Sequence, residues 1–245
     1  MIRIALMMAL VLLYGDALAQ TRPDYAREKR WAEQVLANLV VGDAVYLTAR
    51  GTRFLALHAA AEKPRAAVLL THGPGLHPDH GITGELRMHL ADHGYTTLSL
   101  QMPVLGAEDE GGPAYRELFP EAAERIAEGA RFLRERGAVR IAVVSHAMGA
   151  AMAHDYLKRN PDAPVAAWVA LSFYGVFDAM PFPVLDLYGR NDYRGIRGPA
   201  ADRKRILEKM PGSRQLAAAD GGRFLAGAEQ TVLREVAAFL DTAVK

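Results

Sequence analysis

The clearest chemical spacing in this 245-residue chain is Ser145-His146-Ala147-Met148-Gly149. An apolar run with strand composition, Ile141 to Val144, leads into it, and a helix-like run, Ala150 to Lys158, follows. Strand, tight turn and helix at G-x-S-x-G spacing is a frame that lifts a nucleophile on a strained tip above a sheet. The tip here is Ala147, and a methyl group cannot attack a carbonyl. The housing for a nucleophile is present and the nucleophile is not.

This stretch resembles the nucleophile elbow of the α/β-hydrolase superfamily in its Gly/Ser-His-Ser-Met-Gly form. Ser145 stands where the superfamily usually has its first glycine, His146, Met148 and Gly149 match, and Ala147 replaces the serine. The resemblance runs from about Val45 to the C-terminus. The stretches Thr71 to Asp79 and Thr97 to Pro103 look like a secreted bacterial subgroup that forms a domain of unknown function. In this superfamily the triad runs nucleophile, acid, base along the chain. The resemblance therefore places the acid at Asp192, just after the apolar run Pro183 to Tyr188. It places the base in Asp220-Gly221-Gly222-Arg223-Phe224, where Gly222, or Gly221, stands in place of the histidine. All eight histidines lie between His58 and His154, so none follows the acid. The oxyanion donors would be backbone N–H groups of Met148 and of the His72–Gly75 loop. Pro74 has no N–H, which leaves Gly73 or Gly75. A deep cleft is expected at the strand ends, floored by Ala147 and walled by the Gly- and acid-rich stretch Glu108 to Ala114.

Two other groups have suitable chemistry. Ser145 is the one serine of the elbow, but two residues before the tip its side chain should turn into the packing. His72, His77, Asp79 and His80 are ligand types suited to zinc. The reading taken is a polar loop in which His72 orients the turn and Pro78-Asp79 caps the next helix, with no metal and no cofactor.

The net charge of +1 and the lack of a Lys/Arg run give no case for a nucleic-acid partner. Residues 1–19 read as a signal peptide: Arg3, the apolar run Ile4 to Leu13, and Ala17-Leu18-Ala19 for cleavage before Gln20. The apolar run is too short to span a bilayer comfortably, so no stable membrane insertion is expected after cleavage. Cysteine is absent, which excludes disulfides and suits an oxidising periplasm.

The elements must place these residues. Residues 20–43 are expected to be an exposed polar lead-in and a short helix over Trp31 to Val41. Residues 44–245 read as one domain. Two strands around Arg50-Gly51-Thr52 form an antiparallel edge, after which apolar strands alternate with helical segments. That order predicts an α/β fold, a single domain with a mostly parallel central sheet and helices on both faces. The loops bearing His72, Ala147 and Asp192 all leave strands at the carboxyl edge, where such sheets bind ligands. Two functions compete. One is a non-catalytic binder of a small acyl or carboxylate ligand, or of a protein partner. The other is an active carboxylic-ester or related acyl hydrolase that uses Ser145 or a metal-bound water.

Overall fold

The computed structural model describes residues 21–109 and 112–245. The proposed leader lies outside the described residues. Eight strands form one sheet in the order β1-β2-β4-β3-β5-β6-β7-β8. Strands β1 (Asp43–Ala49) and β2 (Thr52–Ala59) make the antiparallel edge. Arg50 and Gly51 both take positive φ between them, the geometry of a two-residue hairpin turn that matches strand twist. β2 runs antiparallel to β4 (Thr96–Leu100). From β4 onward the sheet is parallel through β3 (Ala67–Thr71), β5 (Ile141–His146), β6 (Val165–Leu171), β7 (Val184–Gly189) and β8 (Arg214–Ala218).

The central strands are apolar without a break because both faces are covered. In β3, Ala67 and Leu69 face one core layer while Val68 and Leu70 face the other. Helices α3 (Phe119–Glu135) and α4 (Met148–Arg159) cover the first face, joined by α6 (Ala200–Leu207). Helices α2 (Gly81–Asp92) and α7 (Glu229–Ala243) cover the second. A single turn of helix, α5 (Arg194–Arg197), precedes α6. Among the described residues no helix is long and apolar enough to cross a membrane.

The N-terminal segment differs from expectation. Helix α1 (Tyr25–Asn38) starts six residues early, capped by the Asp24 side chain on the Arg27 N–H. It is not an exposed lead-in: Glu28 is buried, and Ala32 and Val35 pack on Leu55 and Leu57 of β2. Apolar periodicity misses its first turn because a buried ion pair, not an apolar side chain, holds that turn down. Arg125 of α3 bonds Glu28 at 2.9 Å, pairs with Glu121, and donates to the Gln101 carbonyl. Glu121 and Arg125, four residues apart on α3, are part of this buried triad.

Candidate functional site

β5 delivers the chain to Ala147, which adopts φ 51° and ψ −113°. An L-residue avoids that region, and holding one there costs about 1–3 kcal/mol. Neighbours impose it. The Ala147 N–H donates to the Leu171 carbonyl at 2.9 Å, and its own carbonyl accepts from Ala150 and Ala151. One residue on, α4 packs so close to β3 that a side chain at Gly149 would overlap the His72 carbonyl. The elbow is intact and strained around a methyl group.

Ser145 is turned away from the tip. Its hydroxyl donates to the Val169 carbonyl at 3.1 Å and accepts from the Trp168 indole at 2.7 Å, and it is fully buried. As a replacement nucleophile it is excluded by this geometry.

Asp192 follows β7, as the resemblance implied, and is buried. Its Oδ2 accepts from the Ser172 hydroxyl at 2.6 Å. Its Oδ1 accepts from the Tyr193 and Phe224 N–H groups at 2.9 and 3.0 Å. The carboxylate thus pins three loops, and much of its accepting capacity is already used. Ser172 and Phe224 were missed in the sequence. Both have positive φ, a backbone state that no motif announces.

Gly221 and Gly222 differ sterically. A side chain at Gly221 would come within 2.6 Å of the Gly189 Cα, so the turn after β8 lies backbone to backbone against the end of β7 there. Gly222 has φ −84°, and a side chain there would meet only the Ala226 carbonyl at 3.3 Å. Of the two, only Gly222 has room for a base. The Phe224 ring lies nearby, 5.7 Å from the His146 ring and 5.1 Å from the Tyr193 ring.

His146 is 6% exposed, and its Nε2 has no hydrogen-bond partner among the described residues. Burial pushes its pKa down to about 4, against the opposing pull of the Asp192 carboxylate and the Phe224 backbone. The ring is neutral at pH 7. Its Nδ1 and the Ala147 Cβ both face Gly73, at 3.4 and 3.6 Å from where a Gly73 side chain would begin.

The expected oxyanion donors separate into two kinds. The N–H groups of Met148 and Gly73 donate to no protein group among the described residues. The Gly75 N–H does not qualify, because it donates to the Tyr115 hydroxyl at 2.9 Å. Its fate is set by a residue forty positions away.

His72 is a loop organiser. The Met102 N–H donates to its Nε2 at 2.9 Å, so Nδ1 carries the proton and donates to the Gly73 carbonyl at 2.8 Å. Burial pushes its pKa down to about 3. Asp79 pairs with Arg87 and not with the histidines, while the His77 and His80 rings sit 5.3 Å apart. His77 instead accepts from the Asp79 N–H at 3.3 Å. Among the described residues no three metal-ligating side chains come together.

The elbow tip lies largely covered and not open at the floor of a deep cleft. Ala147 is 6% exposed, and its Cβ, the His146 Nδ1 and the Leu76 side chain all crowd the same face of Gly73. Two depressions lie elsewhere. One of about 210 Å³ is bounded by Arg65, Tyr95 and Asp241, and one of about 520 Å³ by Ala130, Arg134 and Tyr156.

The sheet order, the strained tip between β5 and α4, and Asp192 after β7 can be set beside known structures. Est1E from Butyrivibrio proteoclasticus superposes with a TM-score of 0.68 at 13% identity, over 82% of this chain and 99% of that one. A dienelactone hydrolase from Anabaena variabilis gives 0.67 at 16% identity, over 83% and 98%. An esterase from Pyrococcus furiosus gives 0.63 at 15%, over 84% and 98%. This is the α/β-hydrolase fold. A family model described as a protein of unknown function (DUF3530) matches residues 16–116. No curated protein matches the sequence significantly. Identities this low carry the fold of the hydrolases to this chain and leave their activities with them.

Proposed function

We propose that this chain is an exported α/β-hydrolase-fold protein with a degenerate triad, which binds a small carboxylate or acyl group without hydrolysing it. The observation that carries the reading is Ala147 on an otherwise complete elbow. In this reading Ala147 holds the nucleophile position, Asp192 the acid position and Gly222 the base position. Chemistry needs an attacking oxygen and a base that takes its proton, and positions 147 and 222 supply neither. Binding needs only donors. The Met148 N–H at the start of α4, in the positive end of the helix dipole, and the Gly73 N–H can hold one carboxylate oxygen. The near closure over Ala147 favours a small headgroup over a bulky ester.

The alternative of an active hydrolase loses its serine candidate with the burial of Ser145. Two measurements test the proposal. Short-chain carboxylates should raise the melting temperature and alcohols of matching length should not; equal response to both would refute a carboxylate site. Intact mass from a periplasmic extract should show a chain beginning at Gln20; a full-length product confined to the cytoplasm would remove export.

A further inference from the structure

The far edge of the sheet carries a second chemical grouping, independent of the elbow. His89 and His93 stand one turn apart at the C-terminal end of α2. Their ring centroids are 4.0 Å apart and their planes 34° apart. The His93 Nδ1 lies 2.7 Å from the His89 carbonyl. A carbonyl only accepts, so Nδ1 carries the proton and the Nε2 lone pair is left for a ligand. A backbone carbonyl fixes the tautomer of metal-bound imidazoles in this same way.

His89 completes the pair. Its Nε2 is buried and has no hydrogen-bond partner among the described residues. Burial, and then the neighbouring His93, hold its pKa below the ordinary histidine value, so the ring is neutral at pH 7. Two imidazoles at i and i+4 along one helix are a spacing with which helices hold a divalent metal. A carboxylate acts on each ring. Asp92 acts on His89, and Asp241 of α7 lies within electrostatic reach of His93. Arg65 is the opposing charge, and it is engaged by Asp241 at 2.7 Å.

We propose that His89 and His93 form a surface site for a divalent cation of the copper, nickel and zinc class. No third ligating side chain joins them among the described residues. The remaining positions belong to solvent, which makes the site exchangeable. His93 is exposed, and the rings must turn to uncover the buried His89 Nε2 before one ion can meet both. Imidazole ligands with no imposed geometry should follow the order Cu²⁺ over Ni²⁺ over Zn²⁺.

The test is calorimetric titration of the untagged chain with Cu²⁺, Ni²⁺ and Zn²⁺. One Cu²⁺ per chain is expected, with affinity falling roughly tenfold or more in His89→Gln and in His93→Gln. In the unaltered protein, substoichiometric Cu²⁺ should broaden the NMR ring signals of His89 and His93 before those of His77 and His80. That readout does not depend on how the variants fold. Undetectable binding, or unchanged Cu²⁺ binding in the double variant, would overturn the proposal. So would first broadening at His77 and His80.

Discussion

Ala147 is the residue on which the functional reading turns, and its strain makes a prediction of its own. Glycine tolerates φ 51° and ψ −113° where alanine does not. Ala147→Gly should therefore stabilise the fold by about 1 kcal/mol, read as a higher urea midpoint. No gain would mean that the tip is held without cost. Ala147→Ser restores the attacking oxygen but no base, so it should stay at background on a p-nitrophenyl ester, as should Gly222→His. Ala147→Ser with Gly222→His is the pair to test for rescue, since the Gly221 position is blocked by Gly189. Rescue faces one obstacle invisible in the sequence: Asp192 already accepts from Ser172, Tyr193 and Phe224. The position of Asp192 was legible from the strand before it. Its occupation was not, because two of its donors are backbone groups. Asp192→Ala leaves three donors without an acceptor, the Ser172 hydroxyl among them fully buried. It should cost about 2–4 kcal/mol in urea unfolding, whether or not the protein has any activity.

At the scale of elements, the strands and their order of appearance were readable because apolar runs bounded by Gly and Pro are a local signal. Helix α1 was read too short, since Glu28 is polar in sequence and buried in the structure. The choice between Gly73 and Gly75 stays open in the sequence for a related reason, the Gly75 N–H being taken by Tyr115 from a different loop. Arg125 is the element-scale test. It joins α1, α3 and the end of β4 through Glu28, Glu121 and the Gln101 carbonyl. Arg125→Leu leaves two buried carboxyls without their partner, and should destabilise by roughly 3–5 kcal/mol. Combining it with Glu28→Gln should recover part of that loss. If Arg125→Leu is neutral in urea unfolding, the triad does not hold α1 in place.

For the whole molecule, stability should depend on pH through buried groups of opposite sign. His146 has a folded pKa of about 4 against 6.5 for a free ring. The folded state refuses a proton that the unfolded chain accepts. The stability this ring contributes is complete above pH 6.5 and is lost as pH falls towards 4. That difference corresponds to roughly 3 kcal/mol. Glu28 works the other way. Burial raises its pKa to about 7, so its contribution is present below the ordinary carboxyl value and is lost as pH rises through 7. Because the two oppose each other, the comparison should be between the parent and His146→Gln. The variant should lose less stability between pH 6.5 and 4, by urea unfolding at each pH. Parallel curves would mean that His146 is not buried neutral.

The central claim is that the hydrolase fold here has no working nucleophile. Its most direct test is intact-mass analysis of the purified chain after incubation with a fluorophosphonate, which labels activated serines. The account predicts an unmodified mass, with Ser145 and Ser172 both unlabelled because their hydroxyls are buried and engaged. One stoichiometric adduct on any serine of the folded protein would contradict it.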